Sequence, residues 1–212
     1  MAAAVCRHVV GKPENSTPMN SNAREEKHKW CERWDFPGDA HFLTFSCFAG
    51  QPFFFGEHLP RWFLDAVNQA RAKCPFDLWA FAIMPEHVHL LLWPHEGVKI
   101  SSILYQIKKP VTTRALGWIR KNSPAFLPRM LDRQPNGDEH YRVWQRGGGH
   151  DRNLRSIADV HEKIGYIHQN PVRRGLVERP GDWPWSSWRA WNLGVDEPIR
   201  VNRETLPPLS KR

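Results

Sequence analysis

The sequence predicts an α+β fold: a ferredoxin-like antiparallel sheet with helices on one face, plus a C-terminal helix that carries a tyrosine. Three observations lead there. Patterned segments run in the order strand, helix, strand, strand, helix, strand, helix. Only Pro85 and Glu86 separate the second and third strands, and so short a connection makes them antiparallel. The chain has 212 residues, 41% hydrophobic and 12% aromatic, enough for one domain with a sizeable core.

Each element has its own signal. Residues 1–37 are polar and mixed, with GKPENSTPMNSN near the start, and read as a flexible tail. AHFLTFSCF (40–48) alternates as a strand does. Trp62, Phe63, Ala66, Val67 and Ala70 then recur at helical spacing. FDLWAFAIM (76–84) and HVHLLLW (87–93) are the second and third strands. Ile100, Ile103, Leu104, Ile107 and Val111 mark a second helix, which Pro110 is expected to kink or split. YRVWQ (141–145) is the expected fourth strand and RGGGHDRN (146–153) a glycine-rich loop. A last long helix spans 156–170, opened by the Ser156/Asp159 capping signal and closed by Pro171. The domain is expected over 38–190, with residues 191–212 as a C-terminal tail. Trp183, Trp185 and Trp188 could stack on nucleic-acid bases or pack that end onto the domain, and packing is the expectation.

Composition narrows the function classes. No run approaches ~20 apolar residues, so no membrane-spanning helix is expected. The N-terminus lacks the long apolar core of a signal peptide. Cys6, Cys31, Cys47 and Cys74 form no CxxC motif and read as reduced thiols of a cytoplasmic protein. Charge is lopsided. Residues 1–100 carry 10 Lys/Arg against 11 Asp/Glu, whereas residues 101–212 carry 20 against 11. A basic half suggests a polyanionic partner. Lys108, Lys109, Arg114, Arg120, Arg173 and Arg174 are the candidate phosphate contacts, with Arg152 and Arg155 as weaker ones.

Two features carry chemistry. Side chains alternate along a strand, so Val88, Leu90 and Leu92 face one way, and His87, His89, Leu91 and Trp93 the other. Two imidazoles at i and i+2 on one face lie close enough to share a divalent cation. An isolated H-x-H pair reads first as two satisfied histidines on an open sheet face, so a third element is required. The last helix supplies one. Ile157, Val160, Ile164 and Ile167 form its core stripe, and Tyr166 falls roughly opposite on the helical wheel, offered outward. Asn170, four residues on, lies beside it.

These residues carry a resemblance. IMPEHVHLLLW, VWQ-x-GG and IGYIHQNPVRRGLVERPGDWPWSS, in this order over residues 38–190, resemble the REP-associated tyrosine transposases, part of the wider group of single-tyrosine HUH transposases. The resemblance implies that His87 and His89 bind metal, that Asn170 completes the site with Mg²⁺ or Mn²⁺, and that Tyr166 is the nucleophile. It implies a nucleoid-associated enzyme that cleaves and rejoins single-stranded or hairpin DNA, at REP-like palindromes, through a 5′-phosphotyrosine. Monomer and homodimer both remain open. So do a domesticated hairpin binder that no longer cleaves and a phosphodiesterase that uses water, with Tyr166 structural. The chain departs from the family pattern in three places. Glu86 stands where many relatives have Asn, and its side chain is expected on the face opposite His87. His150 ends the glycine loop with no assigned role. Pro110 interrupts the basic helix.

Overall fold

The computed structural model describes residues 38–147 and 149–208. The tail expected over 1–37 and the last four residues lie outside the described residues. The sheet is built from β1 (Ala40–Ser46), β2 (Phe76–Ile83), β3 (His87–Pro94) and a short fourth strand that begins at His150. Met84 N–H donates to the His87 carbonyl, closing the two-residue β2–β3 hairpin at Pro85 and Glu86. β3 also pairs antiparallel with β1, from His41 opposite Leu92 to Ser46 opposite His87.

Alternation along these strands gives the sheet two apolar faces. On one, Leu43, Phe45, Val88, Leu90 and Leu92 meet α1 (His58–Lys73) and α2 (Ile100–Asn122). The residues predicted to form the helical stripes, among them Phe63, Val67, Ile103 and Ile107, are buried there. On the other face, Phe42, Ala80, Ala82 and Leu91 meet Val160, Ile164 and Ile167 of α3 (Ile157–Arg173). A β-bulge between Leu78 and Ala80 puts Trp79 and Ala80 together on this second face. The sheet is therefore covered on both sides, with the tyrosine-bearing helix alone opposite α1 and α2.

Three sequence expectations need correction. Residues 141–145 are not the fourth strand. Tyr141 ends β5 (Glu139–Tyr141), which forms a separate hairpin with β4 (Leu131–Arg133), and only Trp144 bridges the main sheet, at Cys47. The fourth strand is β6 (His150–Leu154), read from sequence as the end of a loop, and the sheet order is β2-β3-β1-β6. Gly149 makes this possible. Its φ is +75°, and a Cβ there would lie 2.3 Å from the Thr44 carbonyl oxygen. Only glycine lets the chain come this close before pairing with β1.

The second correction concerns prolines. α2 runs unsplit through Pro110, whose ring lies on the exposed side. α3 runs past Pro171 to Arg173 and ends where Gly175 takes φ +69°, with Leu176 N–H donating to the Pro171 carbonyl. The third concerns the C-terminal segment. Beyond residue 190, Ile199, Val201 and Leu206 are buried, and Asn202 N–H donates to the Leu78 carbonyl. Just upstream, Ile83 N–H donates to Trp185 and Ser187 N–H to Phe81. This segment covers the free edge of β2. The indoles of Trp183 and Trp191 donate to the carbonyls of Ile83 and Trp79, so tryptophan at this end is packing material.

Candidate active site

His87 and His89 stand on the α3 face of β3, as alternation requires, and their Nε2 atoms are 3.1 Å apart. Each ring is held from behind. His87 Nδ1 lies 3.1 Å from Glu86 Oε1, and His89 Nδ1 lies 2.8 Å from Thr44 Oγ1 on the neighbouring strand. A carboxylate only accepts, so His87 carries its proton on Nδ1 and presents the Nε2 lone pair. The Asn170 amide nitrogen, which only donates, lies 3.1 Å from His89 Nε2, so His89 carries its proton on Nδ1 toward Thr44 and turns its Nε2 lone pair to the same point. Two lone pairs at this separation repel unless a positive centre lies between them. Burial keeps both rings neutral. It pushes His89 down to about 3, with the adjacent His87 adding to the effect. Burial also lowers His87, against the pull of the Glu86 carboxylate.

α3 brings the remaining groups. Asn170 is buried, and its Nδ2 lies 3.1 Å from His89 Nε2. Asn170 Oδ1 is buried with no hydrogen-bond partner. An amide that touches one of two facing imidazole nitrogens and leaves its buried oxygen unpaired fits a cation site. Two ligands about 2.1 Å from one octahedral cation lie about 3 Å apart, which matches the pair. Among the described residues no group of three or more His, Cys, Asp or Glu could hold a metal. The candidate donor set is therefore two imidazoles and an amide.

Tyr166 is not offered outward. Its ring meets Phe42 edge-on at 5.9 Å and His89 at 5.7 Å, and it is partly buried against the second core. On the wheel it lies about 120° from Val160, at the flank of the stripe, and the twisted sheet reaches it there. Ile157, counted in that stripe, is 40% exposed. Phe42 also stacks on His89 at 5.5 Å, so one phenyl ring fixes tyrosine and histidine together. Two cations flank the tyrosine ring: Lys163 Nζ at 5.7 Å and Arg173 Cζ at 5.2 Å from its centroid. Sequence reasoning missed Phe42, Thr44 and Lys163. Lys163 was within reach, at i−3 from Tyr166 on one helix.

Glu86 corrects another expectation. It sits in the turn, where strand alternation has not begun, and its carboxylate folds onto His87 instead of away from it. Arg174, at the end of α3, donates to the same oxygen at 2.5 Å. Of the six candidate phosphate contacts, only Arg173 and Arg174 stand at this site. Lys108, Lys109, Arg114 and Arg120 belong to α2 on the other face of the sheet. There Lys108 lies over Phe45, Lys109 donates to the Tyr105 hydroxyl, and Arg114 pairs with Asp65 across Trp62. Arg120 lies over Tyr141. His150 is exposed on β6 opposite Thr44, 6.3 Å from the Phe42 ring.

Fold and site together define a class: a ferredoxin-like domain that sets a histidine pair on its sheet against a tyrosine on a covering helix. The chain is similar to a Haemophilus influenzae protein assigned as a REP-associated tyrosine transposase, 30% identical over 129 residues, 59% of this chain and 66% of that protein. It is similar to the Escherichia coli REP-associated tyrosine transposase, 25% identical over 123 residues, 58% of this chain and 61% of that one. It thus spans just under two thirds of the length of each. A solved structure, described as the REP-associated tyrosine transposase bound to a REP hairpin, covers 82% of this chain and 90% of its own, with a TM-score of 0.60 and 23% identity. That likeness shows a shared fold. No protein-family model matches the chain. The resemblance carried by the sequence motifs thus has its counterpart in curated relatives of that name.

Proposed function

We propose that this chain is a hairpin-DNA transesterase of the HUH tyrosine type, which cleaves and rejoins a single strand through Tyr166. One observation carries the reading. The His87 and His89 Nε2 atoms converge with the Asn170 amide beside the Tyr166 ring, although the histidines and the helix are some 80 residues apart in sequence. A satisfied surface histidine pair needs no such company.

His87, His89 and Asn170 would hold Mg²⁺ or Mn²⁺, which when bound polarises a phosphate oxygen. Imidazole donors favour Mn²⁺ on softness. The Tyr166 oxygen attacks the scissile phosphorus. The P–O3′ bond breaks, the 3′ oxygen leaves with a proton, and the phosphate remains esterified to Tyr166. The ester keeps the bond energy, so a 3′-hydroxyl can later reverse the step and rejoin DNA. Lys163 and Arg173 supply positive charge beside the phosphate. Phe42 holds the tyrosine ring against His89, so nucleophile and cation site share one frame.

The substrate reading, a REP-like palindrome with a single-stranded flank, is supported by the relatives' names and by the basic second half of the chain. The test is covalent trapping. Labelled hairpin DNA with single-stranded flanks is incubated with protein and Mn²⁺ or Mg²⁺ and run on a denaturing gel beside Tyr166→Phe. A metal-dependent protein–DNA band absent from the variant is expected. Hairpin binding with no band would favour a non-catalytic binder. Cleavage that survives in Tyr166→Phe would favour water as the nucleophile.

A further inference from the structure

Arg174 caps the C-terminal end of α3, directly after Arg173, and its guanidinium does not reach outward for a ligand. It closes on Glu86 Oε1 at 2.5 Å. That oxygen is also 3.1 Å from His87 Nδ1. Arg174 is half exposed, at 56% of its side-chain surface, whereas Glu86 is 23% and His87 14% exposed. The three groups form a chain running inward from solvent: guanidinium, carboxylate, imidazole. Its inner end is the Nε2 that faces His89 and, through it, Asn170. Both ends of the chain thus return to α3, since Arg174 and Asn170 lie four residues apart and Arg174 N–H donates to the Asn170 carbonyl.

We propose that Arg174 is a positioning residue and not a DNA contact: it fixes the Glu86 carboxylate, and Glu86 fixes the His87 ring so that its Nε2 points into the cation site. A Glu with no cation behind it has several rotamers at a turn, and the His87 ring would follow it. The paired carboxylate also keeps the Nδ1–H tautomer, the only neutral form that leaves Nε2 free to ligate. Because the cation that holds Glu86 comes from the tyrosine helix, the orientation of the first histidine depends on that helix being seated. The Asn170 amide depends on the same seating. One docking event therefore assembles the donor set and delivers Tyr166.

The inference rests on the cation-site reading above, and the test separates the two. Mn²⁺ binding to the full chain, without DNA, is titrated by the loss of the free-ion EPR signal. Arg174→Gln and Glu86→Ala are each expected to weaken Mn²⁺ binding about tenfold, the usual effect of losing a group that orients a ligating histidine. The double variant is expected to be no weaker than Glu86→Ala alone, because the two residues act in series. Arg174→Lys, which keeps the ion pair, is expected to recover most of the affinity. Circular-dichroism melts accompany each variant, and a merely structural role would lower the melting temperature without this pattern in Mn²⁺ binding. Arg174→Gln with unchanged Mn²⁺ binding but weaker metal-free hairpin binding would overturn the proposal and return Arg174 to the phosphate contacts. Additive losses in the double variant would also overturn it. If His87→Ala binds Mn²⁺ as well as the wild-type chain does, the cation-site reading itself fails, and the proposal with it.

Discussion

Thr44 does for His89 what Glu86 does for His87, and neither was visible as such in the sequence. The histidine pair was legible because strand side chains alternate with period two, and Asn170 because helix neighbours recur at i+4. Thr44 comes from another strand, and its place opposite His89 is set by register, which sequence does not display. Thr44→Val keeps the shape of the side chain and removes the bond to His89 Nδ1. It is expected to weaken Mn²⁺ binding about tenfold, read by the same EPR titration. Unchanged binding would remove Thr44 from the site. A third histidine, His168, belongs to stability. It is buried, and its Nε2–H donates at 2.9 Å to Ser187 Oγ, which also accepts from Phe81 N–H, so α3 and the C-terminal segment are tied to β2 through one hydroxyl. Burial lowers its pKa to about 4 from 6.5. The unfolded chain takes up this proton first as pH falls, so the contribution is complete above about pH 6.5 and is lost between there and pH 4. The full loss is about 3 kcal/mol. Urea unfolding at pH 7 and pH 5 should show the wild-type advantage over His168→Gln shrinking at the lower pH. An advantage independent of pH would contradict the assignment.

At the scale of elements, the order strand, helix, strand, strand, helix was legible because each of those segments buries a continuous apolar face. β6 was not. Its residues, HDRNL, show no apolar alternation, because it is an edge strand whose only buried apolar side chain is Leu154, while the other deeply buried one is the Asp151 carboxylate, paired with His41. What specifies it is Gly149, seated against the Thr44 carbonyl at positive φ. Gly149→Ala meets both strain and a clash with backbone, and is expected to cost at least about 2 kcal/mol in urea unfolding. Gly147→Ala is the control, with a similar φ of +86° but nothing within 4 Å of a Cβ. Equal losses in the two would mean that the close approach does not matter. The end of α3 was misread for a related reason. Pro171 removes one N–H and is tolerated inside the last turn, while Gly175 supplies the left-handed residue that stops the helix. The three extra residues matter, because they include Arg173 beside Tyr166 and lead directly to Arg174.

For the whole molecule, the sheet divides the basic residues. Composition revealed the excess of positive charge in residues 101–212 but not its division between two faces, because a charge on a helix surface leaves no mark of which layer the helix occupies. If DNA lies on the tyrosine face, Arg173→Gln should weaken hairpin binding and flatten the slope of log K against log salt by about 0.9. Lys109→Gln with Arg120→Gln should leave that slope unchanged. The reverse result would put the hairpin on α2. Among the described residues no helix is long and apolar enough to cross a membrane. The Cys47 thiol is buried and pushed up to about 12, so it takes no part in the chemistry. What remains central is the joining of a histidine pair on β3 with a tyrosine on α3 across Phe42. The most direct measurement is mass spectrometry of the trapped protein–DNA species after nuclease and protease digestion. The account predicts a nucleotide-bearing peptide that contains Tyr166, lost when His89 is replaced by Ala. An adduct on Tyr105 or Tyr141, or one formed equally well without His89, would contradict it.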